Sequence, residues 1–474
     1  MPLTIVPWRR HRTPHAVAVV VVASGTTIGW RTREREDALA PRRNDRTTIA
    51  AWCLFDWANS AFTTLVVTFV YATYFTKAIA PDEITGTALW SRGVTVTALL
   101  VAVASPVLGA LADVGGLRRR LLAFCTATCV AATAALTWVA PGTPHAILLA
   151  LTLFVVANVG FELGNVFYFA WLPDLVSPDR IGRVSGYGWG AGYAGGLVCL
   201  VIALIGFVQP EQPWFGLTRA EGFNVRATNL LVAAWFAVFS LPFLVAGPGN
   251  RATGSRTDLL AAFRELGRTM HEIRRFREAA KFLVARLFFN DALTTIFAFG
   301  GIYAAGTFGM SFAEILVFGI VINVAAGLGA LLGGFVDDRI GGKRTVLLSL
   351  IGLTAATVLA AATPHRAGLW VAAMLIGVFA GPNQAASRSL MGRFAPDGRE
   401  SEFFGFFAVS GKLAAFAGPF LLGVVTQALH SQRAGVATIV GFFVVGGLLL
   451  LAVDEPAGIA AARAASGGEP APGA

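Results

Sequence analysis

The chain has 474 residues, of which 55% are hydrophobic and only 14% charged, where soluble domains carry roughly a quarter charged residues. With a mean hydropathy of +0.67, this composition excludes a soluble globular domain and defines an integral membrane protein. The formal charge of +10 lies mostly in the first residues and in alternate loops, which points to membrane orientation and not to a nucleic-acid partner.

In chain order, residues 1–46 read as a basic N-terminal tail. Its apolar run from Ala16 to Ala23 is too short to cross a bilayer, which needs about 20 apolar residues. That run fits a signal-peptide core between basic flanks, a disordered tail, or an upstream extension outside the functional protein. Six spans are expected in residues 47–247, at 49–75, 89–112, 121–139, 145–171, 184–208 and 229–246. Residues 248–278 form a linker in which Leu259, Leu260, Phe263, Leu266, Met270 and Ile273 share one helical face. Such a segment can lie along an anionic leaflet or be a solvated connecting helix. Six more spans follow in 279–453, at 279–303, 312–336, 345–362, 368–391, 403–427 and 435–453, and residues 454–474, rich in Ala, Gly and Pro, read as a disordered tail.

The basic clusters Arg118–Arg120, Arg251 to Lys281, and Lys343 with Arg344 fall on one side if the spans alternate. The opposite loops, around Pro81–Glu83, Pro141–Pro144 and Glu211–Glu221, are acidic or nearly neutral. The bias places both termini in the cytoplasm. Cys53, Cys125, Cys129 and Cys199 fall within spans and read as packing residues. The six histidines lie in tails, loops or at span ends, so neither a histidine proton relay nor a metal site is expected.

An internal repeat organises the chain. Gly109, Asp113, Gly116, Arg118 and Arg119 in GALADVGGLRRR recur at one constant offset as Gly334, Asp338, Gly341, Lys343 and Arg344 in GFVDDRIGGKR. Both copies lie between the second and third spans of a six-span set, so two six-helix halves are expected. The Gly-rich segments Gly186–Gly190 and Gly327–Gly334 read as close helix-packing surfaces. No Walker-type G-K-[ST] follows a strand, so no nucleotide cofactor is expected.

Both copies of the repeat resemble the signature loop of the major facilitator superfamily. Asp338-Arg339 is intact in the second, whereas Val114 and Leu117 replace basic residues in the first. FDWANSAF at 55–62, the segment 172–196, FNDALTTIFAFGGIYA at 289–304 and the segment 387–419 narrow the resemblance to the vacuole-effluxer-like branch, over residues 47–453. The resemblance implies an all-α membrane fold of about twelve helices. It also implies gating and structural roles for Gly109, Asp113, Gly116, Arg118, Gly334, Asp338, Arg339, Gly341 and Lys343, at a cytoplasmic hinge and not in the cavity.

Carriers of this kind bind substrate near the midplane between their halves, so deep polar residues on interior faces are the candidates. Asp56, Asn59, Ser60, Thr63, Thr64 and Thr68 recur at helical spacing in the first span. A lone wet stripe of this kind faces a protein interior or a water path, not lipid. The seventh span offers Asn290, Asp291, Thr294 and Thr295; the fourth, Asn158, Glu162 and Asn165; others add Asn323, Gln384, Arg388 and Lys412. The substrate or coupling candidates are Asp56, Asn59, Glu162, Asn165, Asn290, Asp291 and Lys412, with Asp56 and Asp291 expected to meet across the cavity. A carboxylate in low dielectric can exchange a proton as a cavity opens and closes. It can equally form a buried ion pair with Arg286, Arg388 or Lys412.

The sequence therefore predicts a secondary active transporter of a small polar solute, with protons or another cation as coupling partner, in a bacterial-type inner membrane. The resemblance implies efflux of amino acids or related metabolites. A cation-coupled sugar symporter and a drug exporter are the alternatives among transporters, though lipophilic drugs favour a less polar cavity. Outside that class stands a non-transporting sensor or scaffold, marked by a large soluble domain or a disrupted cavity. An enzyme is not expected, because no nucleophile–base pair or metal cluster stands among the membrane residues.

Overall fold

The computed structural model describes residues 45–248, 264, 267–268, 274–413 and 417–467. The expected basic tail up to residue 44, most of the linker and the last residues from 468 lie outside the described residues.

Among the described residues, twelve helices are long and apolar enough to cross a membrane: α1 (Arg46–Ile79), α2 (Glu83–Val114), α3 (Arg118–Trp138), α4 (Ala146–Leu175), α5 (Ile181–Val208), α6 (Ala220–Ala246), α7 (Arg277–Phe308), α8 (Glu314–Ile340), α9 (Gly342–Ala362), α10 (Arg366–Phe394), α11 (Glu400–Ala428) and α12 (Gln432–Leu451). Several starts are set by side-chain caps. Asp45 Oδ2 accepts the Thr48 N–H at 3.0 Å, and the Thr47 and Thr48 hydroxyls that also donate to this carboxylate pull its pKa down to about 2. Asp82 opens α2 by accepting from Ile84 N and Thr85 N, and Ser311 with Glu314 forms a reciprocal capping box at α8.

The packing follows the repeat. In the first set α1 lies against α5 and α6, and α4 against α2 and α3; in the second α7 lies against α12, and α10 against α8 and α9. The sets meet along α2 with α11 and α5 with α8. Small residues make that closeness possible: a Cβ on Gly195 would lie 2.2 Å from Trp57 O of α1, and one on Gly186 would lie 2.4 Å from Ala330 O of α8. The Gly-rich stretch of α5 is thus a packing surface on two sides. The helix α1 is wound as a π-helix over Phe62–Phe69, which takes in Thr63, Thr64 and Thr68 of its polar stripe, and such windings cluster at functional sites.

One expectation fails at the C-terminus. Residues Glu455–Ala465 form a helix, α13, capped by Asp454, whose Oδ1 accepts from Ala457 N at 3.0 Å. Pro456 sits in its first turn, where a missing N–H costs nothing, and its alanines favour helix. Glu455 accepts from the N–H groups of Gly342 and Lys343 that open α9, each at 3.0 Å. Gly458 lies so near Phe394 that a Cβ would come within 2.5 Å of the ring.

Candidate functional site

Helices α1 and α10 have the lowest hydropathy of the twelve and the largest buried share; their polar residues are spent inside. Between the two sets lies a cavity of about 340 Å³, lined among others by Asp56, Asn59, Glu162, Asn165, Asn290 and Lys412. Six of the seven substrate or coupling candidates therefore share one cavity, together with Gln384, Arg388 and Arg286.

Two ion pairs cross it. Arg388 Nη1 of α10 donates to Asp56 Oδ2 of α1 at 2.8 Å. The same guanidinium donates to Ser185 O and Oγ of α5 at 2.7 and 3.0 Å, and lies over the rings of Trp52, Phe169 and Trp189 at 4.6, 4.9 and 5.5 Å. Arg388 is 1% exposed, so this pair is nearly withdrawn from water. The second pair, Lys412 Nζ of α11 to Glu162 Oε1 of α4 at 2.6 Å, keeps 27% and 20% side-chain exposure. Beside it Asn59 Nδ2 donates to Asn165 Oδ1 at 3.1 Å.

Arg286 differs from the other two cavity cations. Its Nη1 donates to Phe407 O and Ser410 Oγ at 2.8 and 2.7 Å, and its Nη2 to Asn290 Oδ1 at 3.3 Å. The guanidinium stacks 3.6 Å from the Phe407 ring centroid. No carboxylate pairs with it among the described residues. The sequence singles Arg286 out only as a counter-ion; the overlooked signal is its place four residues before Asn290, on the same helical face.

The expected meeting of Asp56 and Asp291 does not occur. Successive helical residues point about 100° apart, and it is Asn290 that faces the cavity while Asp291 is buried against α11, accepting from Gly418 N at 2.7 Å. Asn158 is buried outside the cavity lining, and Asn323 lines a second, apolar cavity of about 380 Å³. That cavity starts about one helical turn farther along α1 and α7, at Thr68 and Ile296.

The face of the molecule that carries the α2–α3 and α8–α9 loops, here the near face, is closed. Asp113 accepts from Ser401 N at 3.2 Å and Glu402 N at 2.9 Å, at the start of α11. Asp338 accepts from Gly182 N at 2.8 Å and Arg183 N at 3.3 Å, at the start of α5, and pairs with the Arg183 side chain. Each repeated aspartate thus caps a helix of the opposite set, where unpaired N–H groups and the helix dipole favour negative charge. The repeated glycines permit the approach: a Cβ on Gly109 would lie 2.3 Å from Ser401 O, and one on Gly334 2.7 Å from Gly182 O.

Although the first copy lacks basic residues at Val114 and Leu117, Arg118 gathers Asp113, Asp174 and Glu400 at 3.0, 2.7 and 2.6 Å. Asp174, Glu400 and Arg183 are members that the repeat itself could not reveal, because they lie outside it. Gly116 and Gly341 turn the loops at φ +59° and +91°, a region open to glycine. Lys343 Nζ donates to Leu451 O at 3.0 Å, whereas Arg339 is exposed and takes no part in these ion pairs.

Twelve spans in two related sets, a polar cavity between them and a face shut by repeated loops define a membrane transporter of the major facilitator type. A family model described as "Vacuole effluxer Atg22 like" matches residues 78–182 and 179–463, and the chain belongs to that family. It is 29% identical over 411 residues to the MFS-type transporter YxiO of Bacillus subtilis, covering 85% of this chain and 94% of the relative. Autophagy-related protein 22 of Eremothecium gossypii is 25% identical over 330 residues, 62% of each chain. Among solved structures, the human organic anion transporter MFSD10 (TETRAN) superposes with a TM-score of 0.68 at 16% identity, over 86% of this chain and 100% of the other, a likeness of fold alone. The family and these relatives are transporters, not enzymes.

Proposed function

We propose that this transporter exports a small zwitterionic solute, an amino acid or a close metabolite, by alternating access, and that the near face with both termini is cytoplasmic in a bacterial-type inner membrane. One observation carries the reading: among the described residues, Arg286 is a cavity guanidinium in no ion pair with a carboxylate. Three cations and two carboxylates line the cavity, which leaves one positive charge for a solute carboxylate to neutralise. Arginine suits that task because its planar fork can meet both carboxylate oxygens. Glu162 and the amide oxygen of Asn165, both on α4 of the other set, supply acceptors for a substrate ammonium. A lipophilic drug would leave these polar groups unpaired. A sugar would leave Arg286 uncompensated.

The test is a transport screen with purified protein in liposomes, over amino acids, sugars and phosphorylated metabolites, with and without a proton gradient. Counterflow of one or more amino acids, absent from protein-free liposomes, is the expected result. Counterflow of sugars with none of amino acids would refute the substrate class.

A further inference from the structure

One coupling candidate lies outside the cavity: Asp291. Its side chain is buried between α7 and α11, with 0% of the residue exposed. Oδ2 accepts the Gly418 N–H at 2.7 Å, and Oδ1 has no hydrogen-bond partner among the described residues. The nearby Thr295 hydroxyl does not supply one, since it donates to the Asp291 backbone carbonyl at 2.7 Å. The fit is tight: a Cβ on Gly418 would stand 2.3 Å from Thr295 Oγ1 and 3.1 Å from Asp291 Oδ1.

Among the described residues, no counter-ion reaches it. Arg286 on α7 is bonded to Phe407 O and Ser410 Oγ, and the Tyr303 hydroxyl to Ala360 O. On the helices packed around α7, Arg388 of α10 holds Asp56, Lys412 of α11 holds Glu162, and Arg433 of α12 holds Ala361 O and Thr363 O. Between Glu314 and Asp337, near its two ends, α8 carries no ionisable residue. A lone carboxylate with one neutral hydrogen bond and no counter-charge is strongly disfavoured in such a place, whereas a proton on Oδ1 removes the charge outright.

We propose that Asp291 is a proton-binding site separate from the substrate cavity, occupied in the near-face-closed conformation and emptied when α7 and α11 part. Release needs a water molecule as acceptor. The Oδ1–H bond breaks, its electron pair stays on the carboxylate, and the hydronium formed leaves by water. The apolar cavity offers the route, since Ile296 of α7 and Leu422 of α11, each about one turn beyond Asp291 and Gly418, line it.

Infrared difference spectra of the purified full-length protein across a pH titration, with no solute added, test this directly. A carbonyl stretch from a buried protonated carboxyl should be present, absent in Asp291→Asn, and shifted but retained in Asp291→Glu. It should persist in Asp56→Asn and Glu162→Gln, and stay when sodium chloride replaces choline chloride at fixed pH. Persistence of the band in Asp291→Asn, its loss in Asp56→Asn or Glu162→Gln instead, or its displacement by sodium would overturn the proposal. If Asp291→Asn aggregates on size exclusion, the shift in Asp291→Glu decides: an unmoved band refutes the assignment.

Discussion

Glu162 on α4 and Lys412 on α11 meet at 2.6 Å across the two helix sets while keeping 20% and 27% of their side chains exposed. The parallel bridge between Asp56 and Arg388 keeps 9% and 1%. Both span the same interface, yet the first is far more open to water than the second. A wet pair can be exchanged for substrate at modest cost; a buried one, whose guanidinium also donates to Ser185 O and Oγ, holds its helices together until the whole cavity rearranges.

This contrast sets unequal costs for breaking the two bridges. Arg388→Met strands the Asp56 carboxylate in a buried site, a loss of about 3–5 kcal/mol, whereas Lys412→Met should cost about 0–1 kcal/mol. Thermal unfolding of the purified variants in one detergent measures the difference. Equal losses would show that the exposure of the two pairs does not govern their strength.

Closure of the near face rests on backbone approach at Gly109 and on the Asp338 cap. Gly109→Val brings a Cβ to 2.3 Å from Ser401 O, and Asp338→Ala removes acceptors worth about 1 kcal/mol to the α5 terminus. Spin labels on Asp179→Cys and Asp397→Cys, both exposed near-face positions, should move apart in each variant, and more in Gly109→Val. An unchanged distance distribution would mean that these contacts do not hold the face shut.

Helix α13 is anchored by Glu455 at the start of α9. Glu455→Ala should lower stability by about 1 kcal/mol, the usual cost of a lost helix cap, and expose α13 to limited proteolysis. Proteolysis no faster than in the parent would argue that Gly458 and its neighbours hold the helix without the carboxylate.

Orientation follows from the loop charges. Cysteines introduced at Thr143 or Gln212 should react with an impermeant thiol reagent from outside intact cells, and one at Gly254 should not. The reverse pattern would turn the transporter over.

The twelve spans were legible because a run of about 20 apolar residues has few other fates, and the repeated loop because it recurs at one offset. The cavity face of α7 was not. Asn290 with Thr294 and Asp291 with Thr295 are both pairs at i, i+4, so periodicity alone makes either a valid face. Only Arg286, a turn before Asn290, favours one over the other, and its role depends on the partner it lacks, which no sequence shows. Residues 455–465 were misread for a different reason. Ala, Gly and Pro suggest disorder as a composition, yet Asp454 and Pro456 in that order are a helix start.

Arg286 as the receptor of a solute carboxylate is best tested by calorimetric binding of a transported amino acid and of its carboxamide, to the parent and to Arg286→Gln. The parent should bind the amino acid at least about tenfold more tightly than the carboxamide, about 1.4 kcal/mol, and Arg286→Gln should lose that preference while remaining monodisperse. Undiminished discrimination in Arg286→Gln would contradict the assignment of Arg286 and, with it, the proposed binding mode.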